Sequence, residues 1–241
     1  MATGNKLTLF AFSLPFALLA ATPAHAVALV TYNLAGAPGN QASQAPSAAA
    51  ANITGLDITR GTGLNASNAL NTFSSTGFEN TTSGSSTNEF VQLGFTVAPG
   101  FLVNLTDLQI ATRSSNSGSG TIGLFSSVDS FANPIVTITQ PGDTVVQSTL
   151  NLAALTNLTG TVTFRFFELG NTQADGVGAT AAGGTFRLSN NNSASAIIFN
   201  GDVQPFPFEF SPVFGLMAVA AWASRKPIKQ KIQQFTKSAV K

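Results

Sequence analysis

Apolar and polar residues alternate most clearly at Val91, Leu93, Phe95 and Val97, with Gln92, Gly94 and Thr96 between them. This period of two predicts a strand with one buried face. Pro99-Gly100 marks the turn that follows, and residues 101–112 answer as the expected partner strand. Within that partner the apolar set moves from Val103 and Leu105 to Leu108 and Ile110. The odd offset reverses the faces near Thr106-Asp107 and predicts a bulge or short turn there.

Further strands are expected at 28–34, 121–128, 144–152, 162–169, 185–189 and 194–203, separated by clusters of turn residues. In 162–169, Val162, Phe164 and Phe166 point inward, while Thr163, Arg165 and Phe167 point outward or towards a second layer. Residues 36–51 are too small and polar to pack and read as a long surface loop; 56–86 read similarly, with Gly61, Gly63, Gly77 and Gly84 at turns. Many short strands, glycine-rich turns and no convincing helix between 27 and 204 predict an all-β domain, an antiparallel β-sandwich of jelly-roll-like form.

Two apolar runs depart from this pattern, one at each end. Residues 7–21 follow a single cation at Lys6 and lead to Ala24-His25-Ala26, which is the pattern of a secretory signal peptide over 1–26 cleaved after Ala26. At the other end 213–223 is unbroken apolar sequence, and Ser211-Pro212 supplies an N-cap hydroxyl followed by proline at the first helical position. A helix over 212–226 covers about 22 Å, short of the roughly 30 Å hydrocarbon core. Phe206, Phe208 and Phe210 at one interface, with Trp222, Arg225 and Lys226 at the other, extend its reach. All six charges after Ala223 are positive, so Arg225, Lys226 and the basic tail stay cytoplasmic and residues 27–204 lie outside.

Composition sharpens this division. The whole chain is net +1, yet 27–204 carries nine acids against four arginines and is net −5. A nucleic-acid partner therefore has no electrostatic support in the exported part. Cysteine is absent, so stability rests on the apolar core. The single histidine, His25, departs with the signal peptide, which removes histidine-based nucleophilic and general-base sites and His-ligated zinc from the mature chain.

The order Pro207, Phe208, Glu209, Phe210, Ser211, Pro212, then an apolar helix with Gly215 near its start, then Arg225 and Lys226, resembles the cyanobacterial subclass of PEP-CTERM sorting signals. The resemblance implies that 205–241 is a signal for an exosortase, a membrane transpeptidase that cuts near the Pro/Glu motif and moves the exported part to the cell surface or an extracellular polysaccharide matrix. The implied partners are the Sec translocon and signal peptidase, the exosortase, the membrane as a precursor anchor, and extracellular polysaccharide. Segments YNLAGAPGNQAS at 32–43, LDITRGTGLNAS at 56–67, VNLTDLQIATRS at 103–114, VTFRF at 162–166 and GGTFRLSN at 183–190 are similar to the ectodomains that accompany this signal. Relatives tend to carry tryptophan at the place of Phe186 and aspartate at the place of Ser189.

Candidate chemistry within 27–204 is sparse. Asp57, Asn190 and Asp202 are potential oxygen ligands for a structural calcium, although no D-x-D-x-D run unites them. Glu79, Glu89 and Glu168 are the carboxylates a glycosidase would draw on, and they are scattered along the chain. Tyr32 is the sole tyrosine and the one candidate sugar-stacking platform outside the membrane segment. No catalytic residue is assigned. The expectation is an exported envelope or matrix protein of structural or adhesive role, with a carbohydrate-binding module as the alternative and a hydrolase third.

Overall fold

The computed structural model describes residues 26–78, 88–190 and 197–206. The signal peptide up to His25, the sorting motif from Pro207, the C-terminal helix and Glu79 lie outside the described residues. Among the described residues no helix is long and apolar enough to cross a membrane.

The strands are β1 (Val27–Tyr32), β2 (Pro38–Gly39), β3 (Ser43–Gln44), β4 (Ala48–Ala49), β5 (Ile53–Arg60), β6 (Asn65–Ala66), β7 (Thr72–Thr76), β8 (Phe90–Val97), β9 (Phe101–Ser114), β10 (Thr121–Ser126), β11 (Val136–Thr139), β12 (Val146–Asn151), β13 (Thr161–Glu168), β14 (Thr185–Ser189) and β15 (Ile197–Pro205). They form two sheets. The first runs β2-β7-β14-β9-β15-β1-β4, with β6 on β7; the second runs β11-β10-β13-β8-β5-β3. Residues 107–109 of β9 pair with β15 and also with β12, so β12 must occupy the opposite edge of β9. Pairing between these strands is antiparallel except at the short β2–β7 contact.

The sheets face one another across an apolar core. Phe199 of β15 meets Phe164 of β13 at 5.0 Å and Phe95 of β8 at 5.7 Å between ring centroids. Val91, Leu93, Phe95 and Val97 are all buried, as their alternation predicts, and so are Val162, Phe164 and Phe166. Each such side chain contributes roughly 1.5–3 kcal/mol by leaving water. The predicted bulge in β9 is present: Asp107 pairs with Asn200 and Leu105 with Gly201, leaving Thr106 without an opposite residue. Val103, Leu105, Leu108 and Ile110 thus all reach the core.

Several expectations are corrected. β9 is not the partner of β8: the Pro99-Gly100 turn crosses between sheets, β8 pairs with β5 and β13, and β9 pairs with β12, β14 and β15. Both strands bury an apolar face, and a sandwich satisfies them better from opposite sides than from one. Residues 36–51 are not a plain loop, because their backbone supplies sheet hydrogen bonds from Ser47 N to Thr31 O (2.7 Å) and from Ala50 N to Leu29 O (2.9 Å). Residues 56–86 contain most of β5 and all of β7. Strand β11 was not expected. Phe167 points away from the core yet is buried, meeting Phe125 at 5.3 Å and Phe90 at 5.6 Å.

One arrangement of ends matters for function. Val27, which follows the predicted signal-peptide cut, pairs with Gly201, and Pro205, the first residue of the expected sorting segment, pairs with Phe101. The chain therefore enters and leaves the domain at the same end of the first sheet.

Candidate functional site

Phe186 and Leu188 of β14 turn into the core, so Arg187 between them projects from the outer face of the first sheet. The β14–β9 register sets Arg187 directly opposite Arg113, whose neighbours Thr112 and Ser114 are buried. On the other side of β14, Ser74 of β7 continues the row. Two guanidinium groups from strands 74 positions apart in sequence are thus adjacent on one surface.

That surface is a cleft of about 500 Å³. Arg113 and Arg187 line it together with Asn71, Asn190, Leu70 and Val145. Leu70 and Val145 are 72% and 50% exposed, giving the cleft aliphatic rims. Positioning of the polar lining is local. Asn71 takes a left-handed backbone, φ 60°, and its Oδ1 accepts from Gly36 N at 2.8 Å. Asn190 Oδ1 accepts from Leu34 N at 2.8 Å, and its Nδ2 donates to Asn33 Oδ1 at 2.9 Å. Asp143, also left-handed at φ 54° and fixed by a bond from its own N to Ser114 O (2.8 Å), accepts from Arg113 Nη2 at 2.9 Å.

The electrostatics are unbalanced. Burial, and then the charge of Arg113, pull the Arg187 guanidinium below the ordinary arginine value, while Asp143 acts in the opposite direction. Among the described residues, the Nε atoms of both arginines are buried without an acceptor. Two cations and one nearby carboxylate leave the floor with net positive charge inside a domain that is net −5. Among the described residues the cleft's titratable lining consists of arginines, which hold their protons at neutral pH and so bind anions rather than abstract protons. Its position is polar in a second sense. Arg113 stands twelve steps along β9 from Phe101, which pairs with Pro205, or about 40 Å from the C-terminal exit of the domain.

The residues singled out by sequence are placed differently. Tyr32 is fully buried and bridges the sheets, its hydroxyl donating to Leu56 O (2.6 Å) and lying 3.0 Å from Gly94 O, so it offers no stacking surface. Burial raises its phenol well above the ordinary tyrosine value. The three proposed calcium ligands do not converge. Asn190 is tied to Leu34, whereas Asp202 follows Gly201, the partner of Val27; the seven steps from Val27 to Leu34, along β1 and just past it, span about 20 Å or more. Asp57 accepts from Ser43 Oγ at 2.9 Å on the second sheet. Among the described residues no group of three or more His, Cys, Asp or Glu is placed to hold a metal.

Two of the three glutamates are closer than the sequence suggests. Phe167 pairs with Phe90, which places Glu168 and Glu89 one step further along adjoining strands. Glu168 is 1% exposed and accepts a hydrogen bond from the Thr180 hydroxyl, so a polymeric substrate has no access to it. The arginine pair was missed by sequence reasoning; Arg113 and Arg187 stood in the segments VNLTDLQIATRS and GGTFRLSN, but nothing local announces their register.

No protein-family model matches the chain, and no curated protein matches it. Among solved structures it is similar to a mutant of a carbohydrate binding module family 29, at 12% identity and TM-score 0.37, over 73% of this chain and 92% of that one. It is likewise similar to another structure of that module, at 12% identity and TM-score 0.38, over 73% of this chain and 89% of that one. A third, a mutant of the module complexed with mannohexaose, has 11% identity and TM-score 0.35, over 73% of this chain and 92% of that one.

Proposed function

We propose that this chain is an exported cell-surface or matrix protein whose β-sandwich holds carbohydrate without transforming it, an adhesive role. The single observation that carries the reading is the cleft over Arg113 and Arg187, about 40 Å from the end at which the chain leaves the domain. A domain tethered through its C terminus would present that pole outward. The lining favours holding over reacting, since it joins aliphatic rims and amide groups to arginines that act as donors. In this reading the signal peptide delivers the chain through the Sec translocon, and an exosortase recognises the segment around Glu209 and hands the domain to the envelope surface. The six cations after Ala223 support that topology.

The test is a polysaccharide pull-down with the full chain in mild detergent. Saturable binding that soluble oligosaccharide competes away is the expected result. A protein that binds no glycan in this assay is instead a purely structural component.

A further inference from the structure

We propose that the cleft recognises a carboxylate-bearing sugar, a uronic-acid residue of an acidic polysaccharide. The inference rests on the carbohydrate-holding reading above and names its ligand class. Charge is the first argument. The floor pairs Arg113 with Arg187 across β9 and β14, and Asp143, bonded to Arg113 and felt by Arg187, offsets one of the two charges, so the site has room for one more monovalent anion. Asp143 itself demonstrates the chemistry: its carboxylate lies 2.9 Å from Arg113 Nη2, and the Arg187 Nε is buried with no acceptor among the described residues. Guanidinium groups bind carboxylates through paired, charge-assisted hydrogen bonds.

The remaining lining argues for a sugar as the carrier of that charge. Leu70 and Val145 supply apolar rims against which the C–H faces of a ring pack, and Asn71 and Ser189 place polar side chains within the same cleft. Among the described residues no aromatic side chain lines it, and the sole tyrosine is buried in the core. Without a stacking platform, a neutral sugar loses the contact that ordinarily dominates such sites. The ionic contact must then supply the affinity and the selectivity. A single uncompensated charge also matches the one carboxylate on each uronic-acid residue better than a dianionic phosphate.

The experiment is calorimetric titration of the full chain, in mild detergent, with oligogalacturonate, the corresponding neutral oligogalactan, a sulfated oligogalactan and inorganic phosphate. Oligogalacturonate is expected to bind at least tenfold more tightly than the neutral oligomer, and to weaken as salt is raised. Arg187→Gln should lose about tenfold in affinity, the usual consequence of deleting a charge-assisted donor. Asp143→Asn removes the competing carboxylate and is expected to tighten binding by about threefold, a gain that misfolding cannot produce. Equal binding of neutral and acidic oligomers, with both variants silent, overturns the carboxylate assignment and leaves the carbohydrate reading standing. Preference for the sulfated oligomer or for phosphate overturns it as well. Failure of every saccharide to bind overturns both readings.

Discussion

The Arg60 guanidinium lies 3.8 Å above the ring of Phe73, joining β5 of one sheet to β7 of the other. From there it donates to Gly39 O (2.7 Å), Gln41 O (2.6 Å), Ser74 O (2.6 Å) and Ser75 Oγ (3.0 Å), so a single cation ties two stretches, 39–41 and 74–75, to β5. Burial pulls it down to about 10, which leaves it charged at neutral pH. Arg60→Ala would strip these acceptors of their donor and should cost on the order of 3 kcal/mol. The melting temperature is expected to fall by roughly 6–12 °C for a domain of this size. Arg60→Lys should recover only part of that, because an ammonium cannot reproduce the planar fork. Thermal denaturation of the three proteins checks the order.

Tyr32 makes the second cross-sheet tie. A register shift between Leu56 and Thr59 interrupts the β5–β8 ladder, and the Tyr32 hydroxyl meets Leu56 O at that interruption. Tyr32→Phe should cost about 1–3 kcal/mol near neutral pH. The phenol is raised above the ordinary value of 10 in the folded protein. Its contribution is therefore complete below pH 10 and is lost as pH rises beyond that, because the unfolded chain ionises first. Wild-type and Tyr32→Phe stabilities should converge above pH 10. Since the chain has one tyrosine, tyrosinate absorbance reads this group alone; a group that titrates near pH 10 in the native state would refute the buried bridge.

Gly94 marks how closely β8 approaches β13. A methyl group added there would strike the Val162 carbonyl oxygen, with Thr163 Cα at 2.9 Å. Gly94→Ala should force the strands apart and cost about 1–3 kcal/mol, measurable by chemical denaturation. A neutral result would mean that β13 lies farther from β8 than this register implies.

These ties explain which parts of the fold the sequence made legible. Strand β8 was plain because its polar face and apolar face alternate without interruption, and β14 was found at its observed limits. Strand β7 was hidden because TFSST buries Ser74 and Ser75 beside a single Phe73, so hydrophobic contrast is missing where burial is complete. In β5 the register shift breaks the alternation that would have announced it. The turn at Pro99-Gly100 announced a reversal but not which sheet the chain would enter, a choice made by the core as a whole. The Arg113–Arg187 pairing depends on the register of β9 against β14, which no local pattern encodes.

The sorting proposal has its own variant. Glu209 stands between Phe208 and Phe210 in the motif that resembles an exosortase signal. Glu209→Ala should leave the protein as an unprocessed, membrane-held precursor, detected by a mass increase of the retained species. Release at the wild-type rate would remove the motif from the account.

Mass spectrometry of the protein extracted from intact cell surfaces tests the central claim, that an acidic β-sandwich is delivered outside the membrane free of both terminal segments. The expected product begins at Val27 and ends near Glu209. Recovery of the uncut 241-residue chain from the cytosol would contradict it.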